Sequence, residues 1–512
     1  MSAHPTFRTR DFFRNALSSA LYQVTAMLAG FAIPRVLLVH YGSEANGLVS
    51  SLGQFISAFN LVEAGLAGAS VLALYAPLAA RDGAAINGIL SATHKLYLRA
   101  ALAFSALILA LAILYPWLEP TSALAPRSVA LLVLALGAKS LIEFFAISKH
   151  RVFLTASQKL WVVSLASALT QVLNVALIAI LARLGVGLVA LFTAAIVPVL
   201  LRSLLITLYV RRTTPGLDFR APPRMQALKK RWDVLYLQIL GVVQRSAPIV
   251  LATLFTDLKA VSVYAVHNLV LLGINGVIGI SVSGLSASFG DVIARGEHAV
   301  LRRVTREFEV AYYLLIALCF AVTAALITPF VRLYTAGIHD ADYAQPLLGF
   351  LFALNGLLYN LKTPQGMLVI SAGLYRETRV QSTVQALIIV VLGCVLTPRF
   401  GLTGLLLASI LSNAYRDLDL LFFIPRNLTG LPVRESALRM LQTLATAALI
   451  FVPCHLLALT PATPLEWIRD AVLATLFAAL VALAVNLLFQ RELTLAVLAR
   501  LKRAVGRRVG GT

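Results

Sequence analysis

The sequence predicts an all-α polytopic membrane protein of about fourteen transmembrane helices: two six-helix lobes related by a parallel pseudo-two-fold repeat, plus two appended C-terminal helices. Three observations carry that expectation. Hydrophobic residues make up 59% of the chain and charged residues only 13%, about half the ~25% of a soluble domain, and the mean hydropathy is +0.86. Apolar runs of about 20 residues, the length that crosses the hydrocarbon core, recur from end to end. The net charge of +21 is concentrated in alternate loops, the positive-inside pattern rather than a nucleic-acid footprint.

The runs place helices near 14–39, 48–76, 96–115, 127–148, 160–183 and 188–210, then near 233–254, 261–290, 308–332, 345–370, 380–397 and 402–424, with two more near 438–458 and 468–490. The first run exceeds the about 7–15 residues of a secretory h-region and no cleavage site follows it. A Gly-bounded turn near Gly42 joins it to the second. Pro215 and Gly216 stop the sixth helix and open a linker that runs past Pro222 and Pro223, because proline removes a helix hydrogen bond.

Loop charge sets the orientation. Arg8, Arg10 and Arg14 precede the first span, and Lys149, Arg151 and Lys159 surround the fourth loop. Arg211, Arg212, Arg220, Arg224, Lys229, Lys230 and Arg231 fill the linker. Arg295, Arg302, Arg303 and Arg306 lie in a further even-numbered loop, and Arg500, Lys502, Arg503, Arg507 and Arg508 in the tail. The opposite loops hold little beyond Arg127, Arg183, Lys259, Arg332, Arg399 and Arg469. Both termini are therefore expected in the cytoplasm. The expected organisation is a lobe at 1–210, a basic linker at 211–232, a second lobe at 233–425, two appended helices at 426–490 and a basic tail at 491–512. In that tail Leu495, Leu498 and Leu501 alternate with basic residues, as in a helix lying on a membrane surface.

The halves repeat at an offset of roughly 214 residues. Pro34 falls on Pro248, Ala80-Arg81 on Ala294-Arg295, Arg202 on Arg416, and Leu184-Gly185 near Phe400-Gly401. Six spans per half insert both halves in the same sense. Cys319, Cys394 and Cys454 lie in apolar runs at spacings that suit neither a metal nor a redox pair, and read as packing residues.

Charges within the spans cost about 3 kcal/mol each on insertion scales, so each needs an interior or aqueous setting. Arg35 follows Pro34, and Arg245 precedes Pro248 by three residues. A proline kink frees carbonyls that a cavity can hydrate. Lys139 and Glu143 are four residues apart and share a helix face on which they can pair. Glu63, with Gln54 and Asn60, marks the second span. His267, Asn268 and Asn275 mark the eighth, and Asn355, Asn360 and Lys362 the tenth, just before Pro364. Arg416, Asp417 and Asp419 end the twelfth, near the interface. These describe two polar-lined bundles facing each other. Arginine forks suit phosphate oxygens, and Asn and Gln suit sugar hydroxyls. Arg35, Arg245, Lys139, Lys362, Asn60, Asn268 and Asn355 are the expected substrate contacts. Glu63 is the expected ion-coupling acid, since burial makes such an acid titrate.

No G-x-x-x-x-G-K-[ST] run encodes a nucleotide site. No H-E-x-x-H or Cys/His cluster suits a metal hydrolase. Neither a cofactor nor a nucleic-acid partner is expected.

The run Tyr41-Gly42-Ser43-Glu44-Ala45-Asn46-Gly47-Leu48 is followed by Glu63-Ala64-Gly65-Leu66 and Ala73-Leu74-Tyr75-Ala76-Pro77-Leu78-Ala79. With Arg35 it resembles the first hairpin of bacterial oligosaccharide-lipid flippases (Wzx-like proteins), a branch of the multidrug/oligosaccharidyl-lipid/polysaccharide (MOP) exporter superfamily. The resemblance extends over most of the chain and is strongest in residues 30–100. This chain has Ala76 where family members commonly carry a basic residue. The resemblance implies a fourteen-helix fold around a cavity open alternately to either side. It also implies transfer of polyprenyl-pyrophosphate-linked oligosaccharide to the periplasmic leaflet of a bacterial inner membrane, for O-antigen, capsule or exopolysaccharide synthesis, with a polysaccharide polymerase and chain-length machinery as partners. Two other readings stand beside it: a cation-coupled multidrug-type antiporter of the same superfamily, and a membrane polymerase or ligase acting on lipid-linked glycans. The last usually needs a large outward loop, and the outward loops here run to about a dozen residues.

Overall fold

Glycine and proline decide where the long apolar runs break. A computed structural model of the chain describes residues 5–509 except 64, 229–231, 283–284 and 458, with side chains for all of these but 5–12, 227, 232–235, 280–281, 287, 501 and 503–509. Ala64 of the second span and Lys229, Lys230 and Arg231 of the linker lie outside the described residues, as do the side chains of Arg8, Arg10, Leu501, Arg503, Arg507 and Arg508. The chain divides into two compact units, residues 1–262 and 263–512.

In the first unit, α1 (Pro5–Phe59) holds the first span and the start of the second, separated at Gly42, where φ is 82° and ψ is 177°. Only glycine takes that conformation without a Cβ clash, and the expected turn is there. A 3₁₀ turn, Asn60–Glu63, and a left-handed Gly65 interrupt the second span before α2 (Leu66–Ala80). The Asp82 carboxylate accepts the Ala85 amide at 2.9 Å and caps α3 (Gly83–Leu118). Then α4 (Pro126–Ile142) passes through a π turn, Glu143–Ile147, into α5 (Ser148–Ala156). There follow α6 (Leu160–Arg183), α7 (Leu188–Ala194), α8 (Val197–Thr213), α9 (Trp232–Phe255) and the start of α10 (Leu258–Val282).

The second unit holds the rest of α10, then α11 (Leu285–Ala294), α12 (His298–Tyr334), α13 (Pro346–Leu361), α14 (Thr363–Ala372), α15 (Arg379–Ile424), α16 (Val433–Leu456), α17 (Pro464–Phe489) and α18 (Arg491–Val509). The two appended helices are fastened to α12. Arg439 of α16 donates to Glu309 at 2.6 Å, and the Trp467 indole of α17 donates to the Leu326 carbonyl at 3.3 Å. In the tail helix α18, Arg500 pairs with Glu307 of α12 at 2.8 Å.

Among the described residues eleven helical segments are long and apolar enough to cross a membrane. Two of them are pairs of spans run together across the kinks at Gly42 and Gly401. The tenth expected span is divided into α13 and α14 at Lys362, ahead of Pro364. The eleven segments thus hold thirteen of the expected spans, and α13 with α14 makes the fourteenth. The repeat reappears in helix ends: α2 closes at Ala80 and α11 at Ala294, and Gly185 and Gly401 both take positive φ.

The first unit's core is built on Leu48, Leu52, Tyr97, Phe104 and Tyr115, all fully buried. The outer helix faces are apolar instead of charged. Leu102, Leu109, Ile113 and Leu114 of α3 are exposed, an arrangement that suits lipid and would aggregate in water. Cys454 is buried, Cys319 half-buried and Cys394 exposed, all as free thiols.

Candidate functional site

The hairpin residues Tyr41–Leu48 are engaged in packing and capping. The Tyr41 hydroxyl donates to the Val186 carbonyl at 2.5 Å. The Glu44 carboxylate accepts from the Ser122 amide at 2.7 Å and from the Thr121 and Ser122 hydroxyls. Asn46 donates to the Ser262 hydroxyl at 2.7 Å. Next to it Gly47 lets the backbone of α1 meet that of α10: a Cβ there would overlap the Leu258 carbonyl oxygen and stand 2.7 Å from its carbonyl carbon. Small residues at such crossings are what let membrane helices approach.

The charged centre of the first unit is built around the π turn. One extra residue in the turn brings Glu143 and Arg151, eight apart, onto one face about two helical turns from each other. Arg151 donates to Glu143 Oε1 at 3.1 Å and to Glu63 Oε1 at 3.4 Å. The other Glu143 oxygen accepts from Arg202 of α8, which also donates to Ser167 Oγ at 3.3 Å. The pairing of Lys139 with Glu143 that their spacing allows is not made: two guanidiniums occupy the carboxylate, and Lys139 lies 5.1 Å from the centre of the Phe192 ring. The four charges Glu63, Glu143, Arg151 and Arg202 neutralise one another.

Lys139 and Arg202 line a cavity of about 140 Å³, together with Tyr22, Ser167, Gln171 and Asn174. Its wall offers two cations and several hydroxyl and amide groups. Of the expected contacts, this brings in Lys139, and links Glu63 to the cavity wall through Arg151, Glu143 and Arg202. The other sequence-named residues of this unit lie elsewhere. Arg35 is half-buried on α1, Asn60 opens the 3₁₀ turn, and Arg245 is exposed on α9 with its guanidinium beside Gly241.

In the second unit the break between α13 and α14 places Lys362 against Asn413 of α15, and Asn413 in turn donates to Asn355 at 2.9 Å. Close by in sequence, Asn360 donates to Asn275 at 2.8 Å and accepts from the Tyr312 hydroxyl at 2.9 Å. Lys362 and Asn355 are thus joined through a residue the sequence reading did not name, while Asn268 is half-buried on α10. His267 stacks on Phe352 at 5.2 Å as a core residue. Arg416 and Asp417, expected near an interface, are buried in protein, and Arg416 pairs with Asp419.

Arg202, Ser167, Gln171 and Asn174 were missed as site residues. The available signal was a charge inside the sixth span and two amides one turn apart in the fifth, a spacing that shares a helix face.

No family model matches the chain, and no curated protein matches it by sequence. Solved structures do resemble it. One is the lipid II flippase MurJ in an inward closed conformation, with a TM-score of 0.67 and 13% identity over 93% of this chain and 99% of that one. Another is an inward-facing multidrug resistance MATE family transporter of the MOP superfamily, at 0.62 and 14%, covering 82% and 96%. A third is a MOP superfamily transporter from Pyrococcus furiosus, at 0.54 and 14%, covering 85% and 96%. Helix order, helix number and these alignments together show that the chain is an all-α polytopic membrane protein with the fold of the MOP-superfamily transporters.

Proposed function

We propose that the protein is a flippase that moves a polyprenyl-pyrophosphate-linked oligosaccharide across a bacterial inner membrane by alternating access, with both termini in the cytoplasm and no catalytic step. The observation that carries this reading is the first-unit cavity. Lys139 supplies positive charge for a diphosphate, and Arg202, Ser167, Gln171 and Asn174 supply hydrogen-bond partners for its oxygens and for sugar hydroxyls. Arg202 is held at the cavity wall by Glu143 and Ser167. Charge-assisted contacts from a lysine in such a wall favour phosphate over neutral ligands. Arg35, Arg245, Lys362, Asn60, Asn268 and Asn355 are further proposed contacts, and the lobe boundaries at 210, 232, 425 and 490 are proposed with them. The MurJ neighbour, a lipid II flippase, supports a lipid-linked substrate. A polysaccharide polymerase and chain-length machinery are the proposed partners.

One observation favours the second reading, a cation-coupled multidrug-type antiporter. Glu63 Oε2 is buried without a hydrogen-bond partner among the described residues, and such an oxygen is suited to a proton or cation. Glu63 is the proposed coupling acid in either reading.

The test is reconstitution of the full chain in liposomes containing a polyprenyl-pyrophosphate oligosaccharide, with a membrane-impermeant oxidant reporting sugars on the outer leaflet. The expected result is rapid exposure of inner-leaflet sugars, slowed by Lys139→Gln. Absence of glycan movement, with gradient-driven uptake of a cationic dye in its place, would establish the antiporter reading.

A further inference from the structure

A second cavity, of about 680 Å³, lies in the first unit where the linker meets α3, α5 and α8. It shares no lining residue with the Lys139 cavity. Its wall combines His94 of α3, Lys149 and His150 of α5, Arg211 of α8, and Phe219 and Arg220 of the linker. The linker is stapled to α3 rather than draped over it. The Arg224 amide donates to the Gly88 carbonyl at 3.0 Å, Asn87 donates to the Gly216 carbonyl at 3.1 Å, and the Asp218 amide donates back to Asn87 at 3.1 Å. Phe219 is the aromatic wall. It meets the His150 ring edge-on at 5.1 Å, and the Lys149 ammonium is 5.1 Å from its ring centre.

Two features of this cavity are unexplained by packing. Lys149, Arg211 and Arg220 bring three basic side chains to its lining. The one carboxylate lining it, Asp218, is engaged with the Arg220 amide at 2.8 Å. In addition, the Nδ1 atoms of His94 and His150 are buried without a hydrogen-bond partner among the described residues, and His150 is only 4% exposed. Buried polar atoms without partners cost free energy that a ligand restores. We propose that this cavity binds a phosphate-bearing anion, presented either by an anionic lipid headgroup or by a soluble phosphate. A phosphate group has the oxygen acceptors to take several charge-assisted hydrogen bonds at once and to relieve the repulsion among the cations. The site is independent of the transport reading, because none of its residues lines the Lys139 cavity.

The test uses the full chain in nanodiscs and two probes. In phosphatidylcholine discs, inorganic pyrophosphate is titrated by calorimetry. In discs of phosphatidylcholine doped with phosphatidylglycerol, native mass spectrometry counts the lipids retained by the released protein. Binding in the first arm alone assigns a soluble phosphate, and retention of phosphatidylglycerol alone assigns a lipid headgroup. In either arm, Arg220→Gln on the exposed rim weakens binding about tenfold, and Lys149→Gln with Arg211→Gln about a hundredfold, as expected for hydrogen bonds to charged groups. Added salt weakens wild-type binding in parallel. The Arg220 variant changes only an exposed side chain, so it stands as the test should the double variant fail to fold. Failure of the wild type to bind either probe, or unchanged binding in Arg220→Gln, overturns the proposal.

Discussion

Gly47→Ala is expected to destabilise the protein, although alanine is the better helix former. A Cβ at Gly47 would overlap the Leu258 carbonyl oxygen, stand 2.7 Å from the Leu258 carbonyl carbon and 3.2 Å from the Ser262 amide nitrogen. All three are backbone atoms of α10 and its N-terminal turn, so no rotamer change relieves the clash. Restoring ordinary van der Waals separations to the carbonyl carbon and the nearer oxygen requires the two helices to part by about 1–1.5 Å at this crossing. Such a gap weakens the surrounding dispersion contacts and stretches the Asn46–Ser262 hydrogen bond. Overpacking costs about 1–3 kcal/mol, and an unyielding backbone contact belongs at the upper end. Against this stands about 1 kcal/mol of helix propensity gained on replacing glycine, leaving a net loss of about 2 kcal/mol. Gly53, one and a half turns further along α1, has nothing within 4 Å of its Cβ position, so Gly53→Ala is expected to stabilise by about 1 kcal/mol. The assay is reversible unfolding of the purified chain in mixed micelles, comparing both variants with wild type. If Gly47→Ala is as stable as Gly53→Ala, the close crossing does not exist in the protein.

Four further outcomes are expected. Glu143→Ala leaves the Arg202 guanidinium without its carboxylate. The side chains are 18–30% exposed, so the expected loss is about 2–3 kcal/mol, below the ~3–5 kcal/mol of a fully buried pair; a change under about half a kcal/mol in the same unfolding assay would refute the network. Burial, then repulsion from Asp257 and Glu44, lift the Glu119 carboxyl to about 7. The folded state thus holds this proton where the unfolded state has released it, and Glu119 makes stability fall as pH rises from about 4.5 to about 7. Glu119→Gln should flatten that decline, as read from unfolding midpoints across the window. Replacing Arg245 by alanine is expected to abolish glycan movement at normal protein levels, and lysine to restore it partly, since it keeps the charge but loses the fork. Full activity of the alanine variant would leave Arg245 as an interfacial residue. Reporter fusions within 211–231 and at the C-terminus are expected to report cytoplasm, and a periplasmic C-terminus would overturn the orientation.

Hydropathy is a property of each stretch of chain by itself, and what depends on it was legible without a structure. The spans, the break at Gly42 and the repeat at roughly 214 residues all follow from local composition and from the backbone chemistry of glycine and proline, whereas the division of the tenth span at Lys362 was not expected from the sequence. The polar hairpin residues were legible only as groups that must avoid lipid. That Asn46 meets Ser262, 216 residues away, and that Glu44 caps the turn at Thr121–Ala123, came from the tertiary structure. The charged centre shows the same limit. Lys139 and Glu143 have the right spacing to pair on an ideal helix, but the π turn at Glu143–Ile147 turns Glu143 toward Arg151, and helix packing brings Arg202 to its other oxygen. A π turn has no sequence signature comparable to a proline kink, and an ion pair is decided by distance in space. The sequence by itself therefore determined that this is a polytopic α-helical membrane protein and how its chain is divided into spans. Only the tertiary structure decided which of its buried charges neutralise one another and which, like Lys139, are left to line a cavity, because electrostatic partners are chosen by packing across helices rather than by order along the chain.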